Sequence, residues 1–430
     1  MSDKPNESPV KETLMVGYHK YEFINEGITI TLERFRERDG SLTGDITVQA
    51  DPTKYVDLSN PHIITQRQNM SSARSKADIA KILTGRLDTP DWENIIEYVC
   101  TKSMMKHREG HPLVRIGKLE PRKEVPYLLH PLIRNEVPCI LYGESGIGKS
   151  YISLFISLLV TKEITAVGLT PSKAKVLYLD WEDGEQNLDE RLKALSKGLG
   201  IDTPELCYQY MDGPFSDHVH TIAKRIADEK ANMIIVDSKG AAVGGRINEA
   251  DTTVQLFNSI RSLRITSIVI DHVAKQSAIG PIGSTYTVAE ARNVWEMRAS
   301  KTIAENKLRI GFYHRKTNMS RKHKPFALEF TFEEDENEIV QSVTVDAADV
   351  ADDADTRRGL SVVERIKLHL KDQGLPEGGY MGVSVEDIAS AVDSTVGTVR
   401  ARLSENVDKE GFWEHGEMNE YKFKDKEPDW

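Results

Sequence analysis

The chain has 430 residues, of which 39% are hydrophobic and 29% charged, and its net charge is −11. This length and composition suit two or three globular domains with a sizeable core, and the acidity excludes nucleic-acid binding through overall charge, so such binding needs local basic patches. Three widely spaced cysteines argue against a disulfide framework or a zinc site. The polar start lacks a signal-peptide core, and the longest apolar run is too short to span a bilayer. We therefore expect a cytoplasmic protein without membrane contact.

The first quarter of the chain predicts a small α+β domain over residues 18–110. Residues 1–17 are expected to form a disordered tail. Residues 18–57 alternate in strand fashion, with Ile28, Ile30 and Leu32 on one face and a turn at Asp39-Gly40. Residues 71–107 have helical apolar spacing. No motif in this region indicates a function.

A phosphate-binding loop follows in the stretch LYGESGIGKS, residues 141–150. It contains G-x-x-x-x-G-K-S between the apolar strand VPCILY and an amphipathic helix, which is the context that the motif requires. Backbone amides of such a loop form an anion nest, the lysine reaches the β- and γ-phosphates of ATP, and the serine hydroxyl ligates Mg²⁺. The predicted nucleotide-binding residues are Gly143, Glu144, Ser145, Gly146, Ile147, Gly148, Lys149, Ser150 and Tyr151.

Two strand ends supply candidate carboxylates for this site. The strand NMIIVDS ends in Asp237, which is the candidate second support of the metal, and Ser238 stands where many ATPases have a catalytic glutamate. The strand VLYLDWED ends in Asp180, Glu182 and Asp183. The acids of VLYLDWED either lie at a solvated strand end or supply the missing catalytic carboxylate.

The order of these motifs, followed by IVIDHVAK, GSTYTVAEARNVWEMR and HRKTN, resembles the RecA-like core of hexameric replicative helicases. Within these AAA-type P-loop ATPases it is most similar to the RepA-type plasmid and phage branch, over about residues 119–345. The resemblance implies that Glu182 activates water. For Asp180 and Asp183 we instead expect a solvated strand end or local hydrogen bonding. It also implies that His272 senses the γ-phosphate, although a satisfied histidine at a strand end remains the alternative.

The resemblance also implies partners. Lys275, in the Gly- and Ser-rich loop 274–287, would contact single-stranded DNA, unless the loop is an ordinary connector. Arg292, Arg315 or Lys316 would complete the site of a neighbouring subunit, which implies a homo-oligomeric ring. The sequence HRKTN departs from the lysine-x-arginine spacing of the family, so the choice between Arg315 and Lys316 stays open, as does a solvent-facing role for both. The basic run 314–324 is equally suited to following a phosphate backbone.

The end of the chain predicts an acidic, structureless linker over residues 346–356 and a winged helix over residues 357–430. Ser384 and Ser394 are predicted helix caps, and Val362, Val363, Ile366 and Leu370 lie on the apolar face of the first helix. Arg400 and Arg402 lie nearer the exposed side of a helix that would enter duplex DNA. The alternative is protein contact, because the predicted wing is rich in glutamate.

The predicted fold class is α/β: a RecA-like P-loop NTPase core with a mainly parallel sheet (residues 111–345), flanked by the α+β domain and the winged helix. The predicted function is a ring-forming, Mg²⁺- and ATP-dependent motor, a DNA helicase of plasmid or phage replication. The alternative is a non-unwinding DNA-binding ATPase that acts as a regulator or assembly switch. A nucleotide kinase fits less well, because the sequence shows neither a lid with arginines nor an acceptor pocket.

Overall fold

A computed structural model describes residues 10–58, 60–110, 113, 115–117, 120, 126–244, 250–273, 284–300, 306–318, 321–372, 383–407, 413–415 and 420–423. Within these ranges no helix is long and apolar enough to cross a membrane.

The N-terminal region is an antiparallel sheet covered by two helices. Its elements are β1 (Val10–Met15), β2 (Tyr18–Phe23), β3 (Ile28–Arg38), β4 (Ser41–Ala50), β5 (His62–Asn69), α1 (Ala73–Arg86) and α2 (Trp92–Glu109). The strands pair in chain order, and Ile28, Ile30 and Leu32 are buried on the face that the alternation predicts. The prediction of a disordered tail over residues 1–17 is wrong for residues 10–15, because β1 satisfies its backbone hydrogen bonds along β2. Residues 1–9 lie outside the described part of the chain.

The central region alternates strands and helices. In chain order its elements are β6 (Tyr127–His130), β7 (Ile133–Arg134), β8 (Pro138–Gly143), α3 (Lys149–Lys162), β9 (Thr170–Pro171), β10 (Val176–Asp180), α4 (Glu185–Gly198), β11 (Cys207–Tyr210), α5 (Phe215–Glu229), β12 (Met233–Asp237), α6 (Lys239–Ala242), α7 (Ala250–Leu263), β13 (Thr266–His272), α8 (Ser284–Glu290), β14 (Asn293–Ala299), β15 (Lys307–Thr317), β16 (Phe326–Glu334) and β17 (Val340–Ala348).

The main sheet has the order β11-β10-β12-β13-β8-β14-β15-β16-β17, while β7, β6 and β9 form a small separate sheet. In this order the first six strands, from β11 across to β14, run parallel to one another. The last three, β15, β16 and β17, extend the sheet with antiparallel pairing. The parallel strands read as continuous apolar runs because helices cover both faces. Parallel strands end at one edge of a sheet, and the register pairs Asp180 with Asp237 and His272 with Gly143. That edge therefore collects the predicted catalytic groups.

The N-terminal sheet is docked on the helical face formed by α5 and α7. Tyr18 is buried in the same apolar cluster as Phe215 and Phe257, and its hydroxyl lies 3.4 Å from Asp228. Lys224 lies 3.6 Å from Glu33 across the same contact. The N-terminal region thus shares a core with the central sheet.

The prediction of a structureless linker over residues 346–356 is wrong. Strand β17 continues to Ala348, a 3₁₀ turn spans Val350–Asp352, and α9 spans Ala354–Arg357. Two of the acids that suggested a solvated linker are helix caps, because the Asp349 and Asp353 side chains accept backbone amides in the first turn of these two elements.

The C-terminal region comprises α10 (Val362–Asp372), β18 (Val383–Ser384), α11 (Val385–Ala391), α12 (Val396–Val407), β19 (Trp413–His415) and β20 (Glu420–Phe423). The strands form a sheet in the order β18-β20-β19, and Ile366 and Leu370 are buried in the core. Ser384 caps α11, whereas the cap of α12 is Thr395 rather than Ser394, since the Thr395 hydroxyl accepts the Thr398 amide at 3.2 Å. The winged-helix assignment of this region stays a prediction.

Candidate active site

The loop between β8 and α3 has the backbone of an anion cradle. Gly146 and Gly148 have φ near +76°, which favours glycine, and a Cβ on Gly143 would overlap Ile147 and lie 2.7 Å from the Met297 carbonyl oxygen. Glu144 and Ser145 are exposed, and α3 begins at Lys149, so its first amides face the loop. Tyr151 lies on the outer side of this turn, with its ring 5.2 Å from that of Phe332. The open helix N-terminus can hold a phosphate.

Lys149 is held inside this loop. Its ammonium group donates to the carbonyl oxygens of Glu144 (2.6 Å) and Gly143 (3.4 Å) and lies 3.2 Å from Nδ1 of His272. Burial lowers the pKa of Lys149, and the nearby Asp237 carboxylate opposes this shift. Phosphate oxygens can replace the carbonyl contacts, so the loop is arranged to exchange neutral acceptors for charged ones.

A serine hydroxyl and a carboxylate meet where the metal is predicted. Ser150 Oγ lies 3.3 Å from Oδ2 of Asp237, which also accepts a hydrogen bond from the Tyr178 hydroxyl at 2.6 Å. Burial raises the pKa of Asp237 to about 6, and the Tyr178 hydrogen bond opposes this rise. Hard oxygen donors fit Mg²⁺, which keeps several waters and phosphate oxygens as its other ligands. The described residues contain no cluster of three or more His, Cys, Asp or Glu side chains that would form an all-protein metal cage.

In VLYLDWED, Asp180 shapes the turn that follows β10. Its buried carboxylate accepts the backbone amides of Glu182 (3.0 Å), Asp183 (3.2 Å) and Gly184 (2.8 Å) and the Tyr208 hydroxyl (3.0 Å). Asp183 instead forms an ion pair with Arg191 on α4. These contacts give both acids a structural role and leave Glu182 as the acid of this turn that reaches the cluster around Lys149.

Glu182 lies at the mouth of the site. Its side chain is 48% exposed, Oε1 accepts a hydrogen bond from Ser238, and the same oxygen lies 4.0 Å from Nε2 of His272. Burial, followed by the charge of Lys149, lowers the pKa of His272. Because Lys149 donates to Nδ1, the neutral ring carries its proton on Nε2, towards Glu182. Lys149, His272, Glu182 and Ser238 therefore form one continuous polar cluster.

Sequence reasoning missed Lys239, which is fully buried directly after this cluster. Its ammonium group lies 3.1 Å from Oδ2 of Asp271 and 2.7 Å from Oγ1 of Thr287, and so joins α6, β13 and α8. Burial raises the pKa of Asp271 to about 6, and Lys239 opposes this rise. The only available signal was a lysine in the otherwise small and apolar stretch that follows Asp237 and Ser238.

The three candidate trans cations lie on or beside β14 and β15. Asn293 pairs with Cys139, four residues before Gly143, which separates the start of β14 from the P-loop by roughly 13 Å. Arg315 binds Glu296 (2.5 Å) and donates to the Gly359 carbonyl oxygen (2.7 Å).

Lys316 also has partners within the chain. Its ammonium group donates to the carbonyl oxygens of Val288 (2.5 Å), Ala289 (3.1 Å) and Ala291 (2.8 Å) at the end of α8. Arg292 is exposed. Of the three candidates, Arg315 comes nearest to the P-loop of its own chain, because its partner Glu296 pairs with Tyr142, the residue before Gly143.

The candidate DNA-binding residues are scattered. Lys275 lies outside the described residues. On α12, the exposed Arg400 lies 3.6 Å from Glu386, and Arg402 lies 2.6 Å from Glu405. Both arginines are thus balanced by acids of the same chain.

Comparison with known proteins finds a family match in the central region. Residues 107–278 match a family model described as an AAA domain. Over these residues the chain is similar to AAA domains, in agreement with the P-loop between β8 and α3. A solved structure of a KaiC-like protein from the hyperthermophilic archaeon Pyrococcus horikoshii OT3 is similar at 16% identity and a TM-score of 0.35, over 51% of this chain and 93% of that chain. A likeness of this size carries no argument about function. No curated protein matches the chain.

Proposed function

We propose that the protein is a Mg²⁺- and ATP-dependent motor that assembles as a homo-oligomeric ring and unwinds DNA in plasmid or phage replication. The observation that carries the ATPase part is the polar cluster of Lys149, His272, Glu182 and Ser238 beside the P-loop. A carboxylate at this position is suited to in-line attack by water on a γ-phosphate.

In this proposal the loop amides and Lys149 bind the β- and γ-phosphates of ATP. Ser150 and Asp237 would hold Mg²⁺, which when bound neutralises charge on the phosphate oxygens. Glu182 orients the attacking water and accepts its proton, while Ser238 fixes the carboxylate by a hydrogen bond. His272 touches both Lys149 and the Glu182 side of the cluster, which suits a sensor of the γ-phosphate.

The ring is supported by the position of the candidate cations. A cation that neutralises the transferring phosphoryl group has to come within contact distance. Within the chain, Arg315 is held by Glu296 and Lys316 by the end of α8. Arg292 precedes the start of β14, roughly 13 Å from the P-loop by strand register. Arg292 is the best candidate for the neighbour's site, because Arg315 and Lys316 already hold Glu296 and the end of α8. DNA contact by Lys275 and by Arg400 and Arg402 of the proposed winged helix is part of the same proposal.

The second candidate is an ATPase that switches assembly on DNA without unwinding it. It is favoured by the pairing of Arg400 with Glu386 and of Arg402 with Glu405, which reduces the positive charge that the C-terminal region offers to a duplex.

The ATPase proposal is tested by Glu182→Gln, with Asp183→Asn as the matched control at the next residue. Glu182→Gln should keep ATP affinity and lower kcat by about 10²- to 10⁴-fold, because only the general base is lost. Asp183→Asn should keep kcat, since Asp183 pairs with Arg191 instead. Wild-type turnover by Glu182→Gln would refute the assignment of Glu182 as the general base. Lys149→Ala should lose both ATP binding and ATP hydrolysis.

Two measurements separate the helicase from the switch. Mass measurement with and without a non-hydrolysable ATP analogue tests for a ring. Strand displacement on a forked duplex tests for unwinding. DNA-stimulated hydrolysis without displacement would replace the helicase proposal with the switch.

A further inference from the structure

A second polar surface lies at the opposite end of the sheet's strands from the P-loop. The basic groove is defined by His130, Arg321, Lys322, His323 and Lys324. It has a volume of about 760 Å³ and lies where the chain passes from β15 to β16. Because β15 runs antiparallel to β14, which is parallel to β8, this connection is at the far end from the nucleotide-binding loop. The groove is therefore separate from the ATP site of its own chain.

The basic segment is held in place by an aromatic stack. His314 stacks on the buried Trp295 with ring centroids 4.3 Å apart and planes 4° apart, and His323 continues the stack 5.6 Å from His314. The His323 amide donates to Nδ1 of His314 at 3.0 Å, and Nε2 of His323 lies 2.7 Å from the Tyr127 hydroxyl. Arg134 is buried beneath, 5.2 Å from the centre of the Tyr127 ring. The backbone that carries the neighbouring cations is thus anchored in the core.

The charge of the groove comes from three exposed side chains, Arg321, Lys322 and Lys324. Burial lowers the pKa of His314 to about 4 and also lowers that of His323, so the anchoring rings are neutral near pH 7. Among the lining residues that the structure describes, Glu364 is the one acid, and its carboxylate accepts a hydrogen bond from the Ser361 amide at 2.8 Å. A chain with a net charge of −11 thus presents a fixed cationic surface here.

We propose that the basic groove binds the phosphodiester backbone of a nucleic-acid strand. Lysine is depleted from the cores of protein interfaces, whereas lysine and arginine are the usual partners of phosphates, so the composition favours nucleic acid over an acidic protein. The proposal deepens the proposed function by adding a DNA contact remote from the ATP site. It is tested by binding, which needs no ATP turnover, so it can fail or succeed independently of the proposed function.

The test compares two triple variants of the full chain with equal charge change. The groove variant is Arg321→Gln/Lys322→Gln/Lys324→Gln, and the control is Lys81→Gln/Lys102→Gln/Lys193→Gln on α1, α2 and α4. Binding of a labelled single-stranded oligonucleotide is measured by fluorescence anisotropy between about 50 and about 200 mM salt. Each lost phosphate contact lowers the slope of log K against log salt by about 0.7, so the groove variant should lose about 2 in slope and at least about tenfold in affinity.

Loss confined to the groove variant, and retained binding by Lys149→Ala, would support the groove. Equal loss in both triple variants would overturn the proposal, because binding would then depend on overall charge. Unchanged binding by the groove variant would overturn it as well. Binding of a polyglutamate peptide at least as tightly as the oligonucleotide, lost in the groove variant, would instead assign the groove to an acidic protein partner.

Discussion

Replacement of Asp180 by asparagine tests how the turn bearing Glu182 is held. The side chain is 1% exposed, and its two oxygens accept three backbone amides and the Tyr208 hydroxyl. Asparagine has the same shape, keeps one of these oxygens and replaces the other by a donor. Whichever way the amide is turned, its NH₂ group faces at least one backbone amide that has lost its acceptor.

The magnitude follows from these contacts. A hydrogen bond to a charged group contributes about 1.5–3 kcal/mol, and an orphaned buried donor costs about 1–3 kcal/mol. Because the Tyr208 hydroxyl can rotate to accept from the new NH₂ group, we expect Asp180→Asn to lower the free energy of unfolding by about 2–4 kcal/mol. The turn should shift, and Glu182 with it, so kcat should fall at least about tenfold, equivalent to about 1.4 kcal/mol of barrier.

The assay combines denaturant unfolding, ATP binding and steady-state hydrolysis. ATP affinity should change little, because Lys149 and Ser150 do not contact Asp180. Asp183→Asn, which removes only a partly exposed ion pair, should cost less than about 1 kcal/mol. Wild-type stability together with wild-type kcat in Asp180→Asn would refute the role that we give to the carboxylate.

Three further outcomes follow from buried groups. Tyr178→Phe should raise the pKa of Asp237, because it removes the hydrogen bond from the Tyr178 hydroxyl to this carboxylate. The Mg²⁺ concentration for half-maximal hydrolysis should therefore rise, most strongly near pH 6. An unchanged Mg²⁺ titration would contradict this. Lys239→Met should destabilise the fold by about 3–5 kcal/mol by leaving Asp271 buried alone, and Lys239→Met/Asp271→Asn should recover most of that loss in denaturant unfolding. Burial lowers the pKa of His19 from 6.5 to about 4, so between these pH values the unfolded chain binds a proton that the folded chain does not. The free energy of unfolding should therefore fall as the pH drops below 6.5, by about 2 kcal/mol at pH 5. His19→Phe should flatten this pH dependence.

The sequence was most informative where local patterns determine structure. Apolar runs ending in polar residues predicted which strands meet at the P-loop edge, because parallel strands place their ends together. The G-x-x-x-x-G-K-S motif correctly predicted the position of Lys149, because the glycines of the loop and the helix that follows are local features.

Distant contacts were beyond the reach of these patterns. Strand β1, with the sequence VKETLM, mixes charged and apolar residues and is ordered by pairing with β2. Asp349 and Asp353, two of the acids of residues 346–356, are helix caps, and capping depends on where turns begin rather than on composition. Lys239 finds Asp271 on another strand, a pairing that no local spacing predicts. The partners of Arg315 and Lys316 likewise come from distant segments.

Tyr313 and Arg315 connect the start of the C-terminal region to the main sheet. Tyr313 donates to the Thr356 carbonyl oxygen, and Arg315 links the Gly359 carbonyl oxygen to Glu296 on β14. Strand β14 is hydrogen-bonded to β8, which carries the P-loop. The segment leading into the C-terminal helices is therefore connected by hydrogen bonds to the strand beside the nucleotide loop, so a displacement of β14 would be transmitted to this segment.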